Sequence, residues 1–214
     1  MKLWHCRGAR SLRALWALEE MGLDYEVHIM PFPPRVFEKE YLGTNSLGTI
    51  PYLEDGDTTM TESTGICHYL VERYQQYDFG LKSDHAEYGD YLNWLYHSDA
   101  TLTFPQTIAM RYLHLEPTPE KKPVAVDYAK WFFARLRRLN THLESRQYLC
   151  DERFTIADIA VGYAIYLAKQ MKLGEFVERD FTPQVEDWYA RLIERPAFQR
   201  ADAMDGGQTA TFGV

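Results

Sequence analysis

The feature that most constrains this chain is a pair of signals on either side of a short predicted hairpin. Pro51 follows Gly48-Thr49-Ile50 and directly precedes an apolar strand, and Glu62-Ser63 lies where a strand ends and a helix begins. Proline lacks a backbone N–H and fixes φ; if its peptide bond is cis, the N–H and C=O of Ile50 turn away from the neighbouring strand. Unpaired N–H groups at a helix start favour a bound carboxylate. Separately, each signal is equally typical of a strand edge or an ordinary N-cap. Their order and spacing predict a ligand site.

Composition narrows the class of protein. The chain has 214 residues, of which 46% are hydrophobic and 25% are charged, as expected for a globular protein with one large or two small domains. Its net charge of -8 argues against nucleic acid as a partner, because phosphate neutralisation needs a concentrated positive face. No apolar run is long enough for a membrane span. Three widely spaced cysteines form neither a disulfide framework nor a metal-ligand spacing, so we expect a reducing cytoplasm and no metal site.

The first 75 residues or so predict a compact α/β unit. Residues 2–6 predict a short apolar strand, and a helical pattern then runs to Gly22. In residues 25–30, apolar and polar residues alternate, which predicts a second strand. A short helix is expected over 35–41 and a third strand over 49–53. Asp55-Gly56-Asp57 predicts a hairpin turn into 58–60, and a helix starts at Glu62. The predicted order is β-α-β, then a β-hairpin and a helix, in a domain spanning 1–76.

Strand signals disappear after a linker at 75–80, so residues 84–204 predict an all-α domain. A long helix is expected over about 85–115, kinked at Pro105, followed by an apolar stripe at helical spacing over 128–143. Thr155-Ile156-Ala157-Asp158 predicts a capping box that opens another helix, with Asp158 as a structural cap without chemistry. A last helix is predicted over 183–194.

The chain resembles the soluble glutathione S-transferase family over nearly its whole length, with a bacterial-like character and no class assigned. The matching pieces are residues 13–26 (Arg13-x-x-Trp16-Ala17-Leu18-Glu19-Glu20-x-Gly22-Leu23-x-Tyr25-Glu26), Gly48-Thr49-Ile50-Pro51, Thr61-Glu62-Ser63 and Phe154-Thr155-Ile156-Ala157-Asp158. The resemblance implies a thioredoxin-like N-terminal domain, an all-helical C-terminal domain, a homodimer and reduced glutathione as co-substrate.

On that resemblance, the backbone of Ile50, ahead of Pro51, pairs with the cysteinyl part of glutathione. Glu62 meets the γ-glutamyl ammonium, and Ser63 meets the γ-glutamyl carboxylate. Further glutathione contacts are expected from Lys39 or Arg35 at the glycyl carboxylate and from Asp99 across a dimer interface.

The residue that activates the glutathione thiol departs from the family patterns. Arg10 occupies the place of the cysteine of bacterial relatives, and neither a tyrosine nor a serine stands where other relatives carry it. We therefore predict that Ser11 donates to the sulfur, aided by the field of Arg10; alternatively Ser11 only caps the first helix and Arg10 is solvated. Cys6 supports a second chemistry, thiol–disulfide exchange, or is an inert buried residue.

The electrophile pocket is expected between residues 6–9 and the long helix, with Cys6, Arg7, Phe104 and Tyr112 among its walls. The predicted function is conjugation of glutathione to small hydrophobic, aromatic electrophiles. Two alternatives stay open. One is a glutathione-dependent catabolic step, such as ether cleavage, dehalogenation or isomerisation. The other is a non-catalytic binding protein with this fold.

Overall fold

A computed structural model of the chain describes residues 1–205. Within these residues it contains two compact units: Met1–Gly80 together with 194–205, and Leu81–Ile193. The predicted domain ranges, 1–76 and 84–204, differ from these units chiefly at the C-terminal end. There, residues from Glu194 group with the first unit and not with the helical one.

Four strands form the sheet of the first unit. They are β1 Lys2–Cys6, β2 Glu26–Met30, β3 Tyr52–Asp55 and β4 Thr58–Met60. The strand order is β2-β1-β3-β4. β1 runs parallel to β2 and antiparallel to β3, which pairs antiparallel with β4 across the Asp55–Thr58 turn. The β-α-β unit and the hairpin predicted from the sequence are confirmed, although β3 begins at Tyr52 rather than at Thr49.

Helices follow in chain order. The α-helices are α1 Ser11–Met21, α2 Pro34–Phe37, α3 Ser63–Arg73, α4 Tyr88–His97, α5 Phe104–Met110, α6 Lys122–Arg135, α7 Arg137–Leu143, α8 Ile156–Gln170, α9 Pro183–Ile193 and α10 Pro196–Asp205. Short 3-10 helices cover Lys39–Gly43 and Tyr77–Phe79. None of the helices within residues 1–205 has both the length and the apolarity needed to cross a bilayer.

The core of the first unit lies on both faces of the sheet. Leu3 and Leu53, which pair across β1 and β3, are fully buried, as are Leu15 of α1 and Ile66 of α3. A second cluster contains Trp4, Cys6, Ala9, Met30 and Tyr41, with Phe32, Ile50 and Tyr52 packed against it. This second cluster anchors the loop that leads into Pro51.

Helix α1 has the boundaries that its sequence predicts, and it is covered by a helix that the sequence analysis did not predict. Gly22 adopts φ 61°, and its N–H bonds to the carbonyl of Leu18, which closes α1. The last helix, α10, packs on α1: Phe198 meets Trp16 edge to face at 4.8 Å between ring centroids. Just before α10, Arg195 donates to both carboxylate oxygens of Glu20, at 2.6 and 2.8 Å. These contacts explain why the C-terminal residues belong to the first unit.

The predicted long helix of the second unit is present but interrupted differently from the prediction. π-helical stretches cover Ser98–Thr103 and Arg111–Leu115, one before α5 and one after it. Pro105 is the second residue of α5 and lies two residues after the end of the first π-helical stretch. The helix therefore departs from regular α-helix geometry in the turn ahead of Pro105, where it is π-helical.

Helix α8 begins with the capping box that the sequence predicts. The Thr155 hydroxyl accepts from the N–H of Ala157 at 3.2 Å, and the Asp158 carboxylate accepts from the N–H of Thr155 at 2.9 Å. Asp158 also accepts from the Leu149 N–H at 3.1 Å and from the Trp188 indole at 3.0 Å. It is fully buried, and this burial raises its pKa to about 6 against the opposing effect of these donors. Asp158 is a structural cap, as predicted.

Candidate functional site

The loop before β3 is held by side chains that bond to one carbonyl. The oxygen of Thr49 accepts from the phenol of Tyr41 and from the amide of Asn45, each at 2.8 Å. Burial raises the pKa of Tyr41 to about 12, so the phenol stays protonated as a donor at neutral pH. Gly48 adopts φ +59°, and a Cβ there would lie 2.7 Å from the Arg35 Cβ. Only glycine fits this position without a shift of its neighbours.

Ile50 is the next residue, and the Ile50–Pro51 peptide bond is cis. Within residues 1–205, neither the N–H nor the C=O of Ile50 forms a hydrogen bond, although its side chain packs against the Trp4 and Tyr41 cluster. Backbone polar groups that are partly buried normally find partners. Those of Ile50 are therefore available to a bound molecule.

The hairpin register brings this backbone toward the start of α3. Leu53 of β3 pairs with Met60 of β4, so the chain before β3, with Ile50 and Pro51, and the chain after β4, with Glu62 and Ser63, leave the hairpin at the same end. Glu62 is the N-cap residue of α3, and it makes no side-chain capping bond. Its carboxylate is exposed, and it accepts only a 3.4 Å contact from the hydroxyl of Thr61 among the residues described.

Ser63 is the first residue of α3 and is only 2% exposed. Its hydroxyl oxygen accepts a hydrogen bond of 3.1 Å from the guanidinium of Arg13, a fully buried residue of α1. The sequence analysis did not identify Arg13 as a site residue. The signal that could have found it is a charge inside the otherwise apolar run from Leu12 to Leu18, since a buried charge needs a hydrogen-bonded partner.

The predicted thiol-activating residues lie at the turn between β1 and α1. Ser11 is fully buried, and its hydroxyl donates to the Cys6 carbonyl and accepts from the Cys6 N–H, each at 3.3 Å. To donate to a thiolate, Ser11 would have to give up its bond to the Cys6 carbonyl. Arg10, the residue before α1, is partly exposed.

Cys6 is fully buried, and its thiol donates to the Pro31 carbonyl at 3.5 Å. Thiol–disulfide exchange at Cys6 would require this thiol to become accessible, as would contact with an electrophile. Arg7, next to it, is exposed. Cys67 and Cys150 are also buried, and within residues 1–205 neither forms a disulfide. Residues 1–205 contain no group of three or more histidine, cysteine or acidic side chains arranged for a metal ion.

The other predicted residues are spread over both units. Lys39 is exposed at the start of a 3-10 helix in the first unit. Asp99, Phe104 and Tyr112 belong to the second unit. The Phe104 ring is 46% exposed and meets the rings of Tyr128 and Trp131 at 6.3 Å. The predicted pocket wall and the predicted dimer contact stay predictions.

The grouped residues have a definite chemistry. The backbone N–H and C=O of Ile50 match an amide in an extended chain. The carboxylate of Glu62 matches an ammonium, and the Ser63 hydroxyl at a helix start matches a carboxylate. Together these groups match the chemistry of a zwitterionic amino-acid head joined to a peptide.

Comparisons with known proteins identify the family of this chain. A family model described as the glutathione S-transferase N-terminal domain matches residues 1–72, and one described as the C-terminal domain matches residues 104–196. Together the two models cover well over half of the chain. Glutathione S-transferase 3 of Schizosaccharomyces pombe is 26% identical, over 91% of this chain and 84% of that protein.

Two further similarities are informative. Elongation factor 1-gamma 1 of Oryza sativa subsp. japonica is 29% identical over 89% of this chain, which corresponds to 45% of that protein. The solved structure of the glutathione transferase URE2P6 from Phanerochaete chrysosporium, in complex with oxidized glutathione, superimposes with a TM-score of 0.80 at 27% identity and covers 96% of each chain. The predicted fold class, a thioredoxin-like domain followed by an all-α domain, is confirmed.

Proposed function

Because this chain belongs to the glutathione S-transferase family, we propose that it is a glutathione S-transferase that conjugates reduced glutathione to small hydrophobic, aromatic electrophiles. Glutathione is a γ-linked tripeptide with an amino-acid head and a central thiol, and its head matches the receptor chemistry of Glu62 and Ser63. The proposal includes a homodimer and a cytoplasmic location, where reduced glutathione persists.

The observation that carries the proposal is the unbonded backbone of Ile50 at the same end of the β3–β4 hairpin as Glu62 and Ser63. In the proposed complex, the cysteinyl N–H and C=O of glutathione bond to the backbone of Ile50, ahead of Pro51. The γ-glutamyl ammonium meets Glu62, and its carboxylate meets the hydroxyl and N–H of Ser63. Lys39 binds the glycyl carboxylate, and Asp99 of a second copy approaches the ammonium.

Activation of the thiol needs a lower sulfur pKa. A free thiol has a pKa of about 8.5, and lowering it by two units corresponds to roughly 2.7 kcal/mol. One charge-assisted hydrogen bond supplies about 1.5–3 kcal/mol. We assign this role to Ser11 and Arg10 at the start of α1. Of the two, the partly exposed Arg10 reaches a ligand without breaking the bond that Ser11 makes to Cys6.

The electrophile then contacts Phe104 and Tyr112 of the second unit. The exposed ring of Phe104, stacked edge to face among aromatic neighbours, supports a planar substrate. The catabolic alternative uses the same glutathione site with a different electrophile.

A second candidate is a non-catalytic protein with this fold that binds a ligand or a partner protein. Two observations favour it: the engaged, buried hydroxyl of Ser11, and the similarity to part of an elongation factor 1-gamma. The two candidates differ in turnover.

The deciding experiment measures conjugation of glutathione to 1-chloro-2,4-dinitrobenzene by the purified protein, together with retention on immobilised glutathione. The transferase proposal predicts both retention and saturable turnover, and the Arg10→Ala variant should retain binding but lose turnover at neutral pH. Retention with no turnover on this or on other aryl halides would contradict conjugation to aromatic electrophiles and leave the catabolic alternative and the binding protein. Absence of retention would contradict both the transferase and the catabolic proposals and favour the binding protein.

A further inference from the structure

A fully buried arginine lies behind the proposed carboxylate subsite. The Arg13 guanidinium of α1 donates to the Ser63 hydroxyl oxygen at 3.1 Å, and Arg13 has no exposed surface. The two helices are linked a second time, since the Cys67 thiol of α3 donates to the Arg13 carbonyl at 3.5 Å. Arginine is almost never fully buried unless its charge is paired or hydrogen-bonded. Its placement beneath the first residue of α3 therefore calls for an explanation.

The bond from Arg13 sets the direction of the Ser63 hydroxyl. A serine hydroxyl offers one donor and two acceptor positions. Because Arg13 occupies an acceptor position, the Ser63 O–H points away from the guanidinium, and it donates to no acceptor in the part of the chain that the structure describes. A hydrogen bond from a charged donor is also stronger than one between neutral groups and polarises the hydroxyl that accepts it. Ser63 is thereby prepared to donate to an anion at the start of α3.

We propose that Arg13 is a positioning residue that orients and polarises the Ser63 hydroxyl toward the γ-glutamyl α-carboxylate of glutathione. The inference rests on the proposed function and assigns a role to a residue that does not touch the ligand. Its effect passes through one hydroxyl and is specific for one carboxylate. It acts on affinity and KM, and it leaves the chemistry at the sulfur unchanged.

The test compares two ligands on matched variants. Calorimetry gives the Kd of reduced glutathione and of γ-aminobutyryl-cysteinylglycine, the analogue in which hydrogen replaces the γ-glutamyl α-carboxylate. Arg13→Met removes the charge and keeps an unbranched side chain in place of the arginine stem. It should raise the Kd of glutathione about tenfold, equivalent to about 1.4 kcal/mol, and change the Kd of the analogue less than twofold. Arg13→Lys, which keeps a donor and the charge, should give an intermediate Kd for glutathione.

A double-mutant cycle with Ser63→Ala separates positioning from structural damage. In the Ser63→Ala background, Arg13→Met should cause no further loss of glutathione affinity, since its effect requires the hydroxyl. Steady-state kinetics should show a raised KM for glutathione at unchanged kcat. Thermal unfolding of each variant reports folding, and if Arg13→Met does not fold, the same cycle with Arg13→Lys decides.

Several outcomes would overturn the inference: an equal loss of affinity for both ligands, additive effects in the cycle, or an unchanged Kd for Arg13→Met. A wild-type protein that binds neither ligand would contradict the proposed function as well. Wild-type binding with an unaffected Arg13→Met variant would contradict the positioning role alone.

Discussion

The starts of α3 and α8 both present backbone N–H groups without partners inside the helix, and they differ in whether other groups of the chain bond to them. At α8, the Thr155 hydroxyl and the Asp158 carboxylate bond to backbone N–H groups, and Asp158 takes two further donors from Leu149 and Trp188. At α3, the N-cap residue Glu62 makes no side-chain capping bond. The hydroxyl of Ser63 accepts from Arg13, so its proton points away from that guanidinium.

This difference separates a structural helix start from one that is available for binding. Both starts carry unpaired N–H groups and the positive end of a helix dipole. At α8 these groups are filled by the chain itself, so the helix start contributes stability and no chemistry. At α3 they lie at the same end of the β3–β4 hairpin as the unbonded backbone of Ile50, so the same groups can hold a ligand carboxylate.

The largest expected effect is on the free energy of unfolding, when the cap at the start of α8 is removed. Asp158→Ala would leave buried donors on Thr155, Leu149 and Trp188 without an acceptor. We expect it to lower the free energy of unfolding by about 3–5 kcal/mol, measured by urea denaturation followed by circular dichroism. Asp187→Ala, which removes an exposed carboxylate of α9, is the matched control and should change it by less than about 0.5 kcal/mol. Equal effects of the two variants would remove Asp158 from the comparison.

The same carboxylate makes stability depend on pH. Burial raises the pKa of Asp158 from 3.8 to about 6. Between these values the folded state binds more protons than the unfolded state, so this contribution to stability falls as pH rises. The difference in unfolding free energy between wild type and Asp158→Asn, which cannot titrate there, should therefore shrink between pH 4 and pH 7. The decrease is expected to reach about 3 kcal/mol. A difference that grows with pH would show that the donors outweigh burial.

The binding side of the comparison depends on the loop that carries Ile50. Gly48 and Gly56 have nearly equal positive φ values, +59° and +60°, but only a Cβ at Gly48 would meet neighbours, 2.7 Å from Arg35 and 2.9 Å from Leu42. Gly48→Ala should therefore destabilise the protein by about 2 kcal/mol more than Gly56→Ala. It should also raise the Kd of glutathione, because the Thr49–Pro51 backbone must shift. Equal effects of both substitutions on stability and affinity would contradict this.

The smallest expected effects distinguish a residue that contributes to glutathione affinity from one that contributes to stability. Glu62→Ala should raise the Kd of glutathione about tenfold, or about 1.4 kcal/mol, and change the unfolding free energy by less than about 0.5 kcal/mol. Thr155→Ala should show the reverse, a loss of about 1 kcal/mol of stability at an unchanged Kd. Calorimetry and denaturation on the same samples measure both quantities, with the exposed Glu175→Ala as a neutral reference. If both variants lost glutathione affinity and stability together, the proposed difference between the two helix starts would be contradicted.

Local signals accounted for much of the fold and for the choice of Glu62 and Ser63. Gly22 marks the end of α1, the Asp55–Asp57 turn sets the hairpin, and Thr155 with Asp158 opens α8. Each of these signals acts over a few residues, so a sequence shows it directly.

Features that depend on distant contacts were not predicted. Helix α10 is stabilised by Trp16 and Glu20, almost two hundred residues earlier in the chain. β3 begins late because the Thr49 carbonyl bonds to Tyr41 and Asn45 instead of extending the strand. The bond between Arg13 and Ser63 joins two helices and leaves no local pattern beyond a charge in an apolar run.

The most direct test of the account follows backbone amide resonances by NMR while reduced glutathione is added to the millimolar range. The amides of Ile50 and Ser63 should shift along one common saturation curve, whereas those of Ala157 and Asp158 should not move. Absence of a saturable shift at Ile50 and Ser63, or an equal shift at the start of α8, would contradict the claim that α3 is the helix start left open for a ligand.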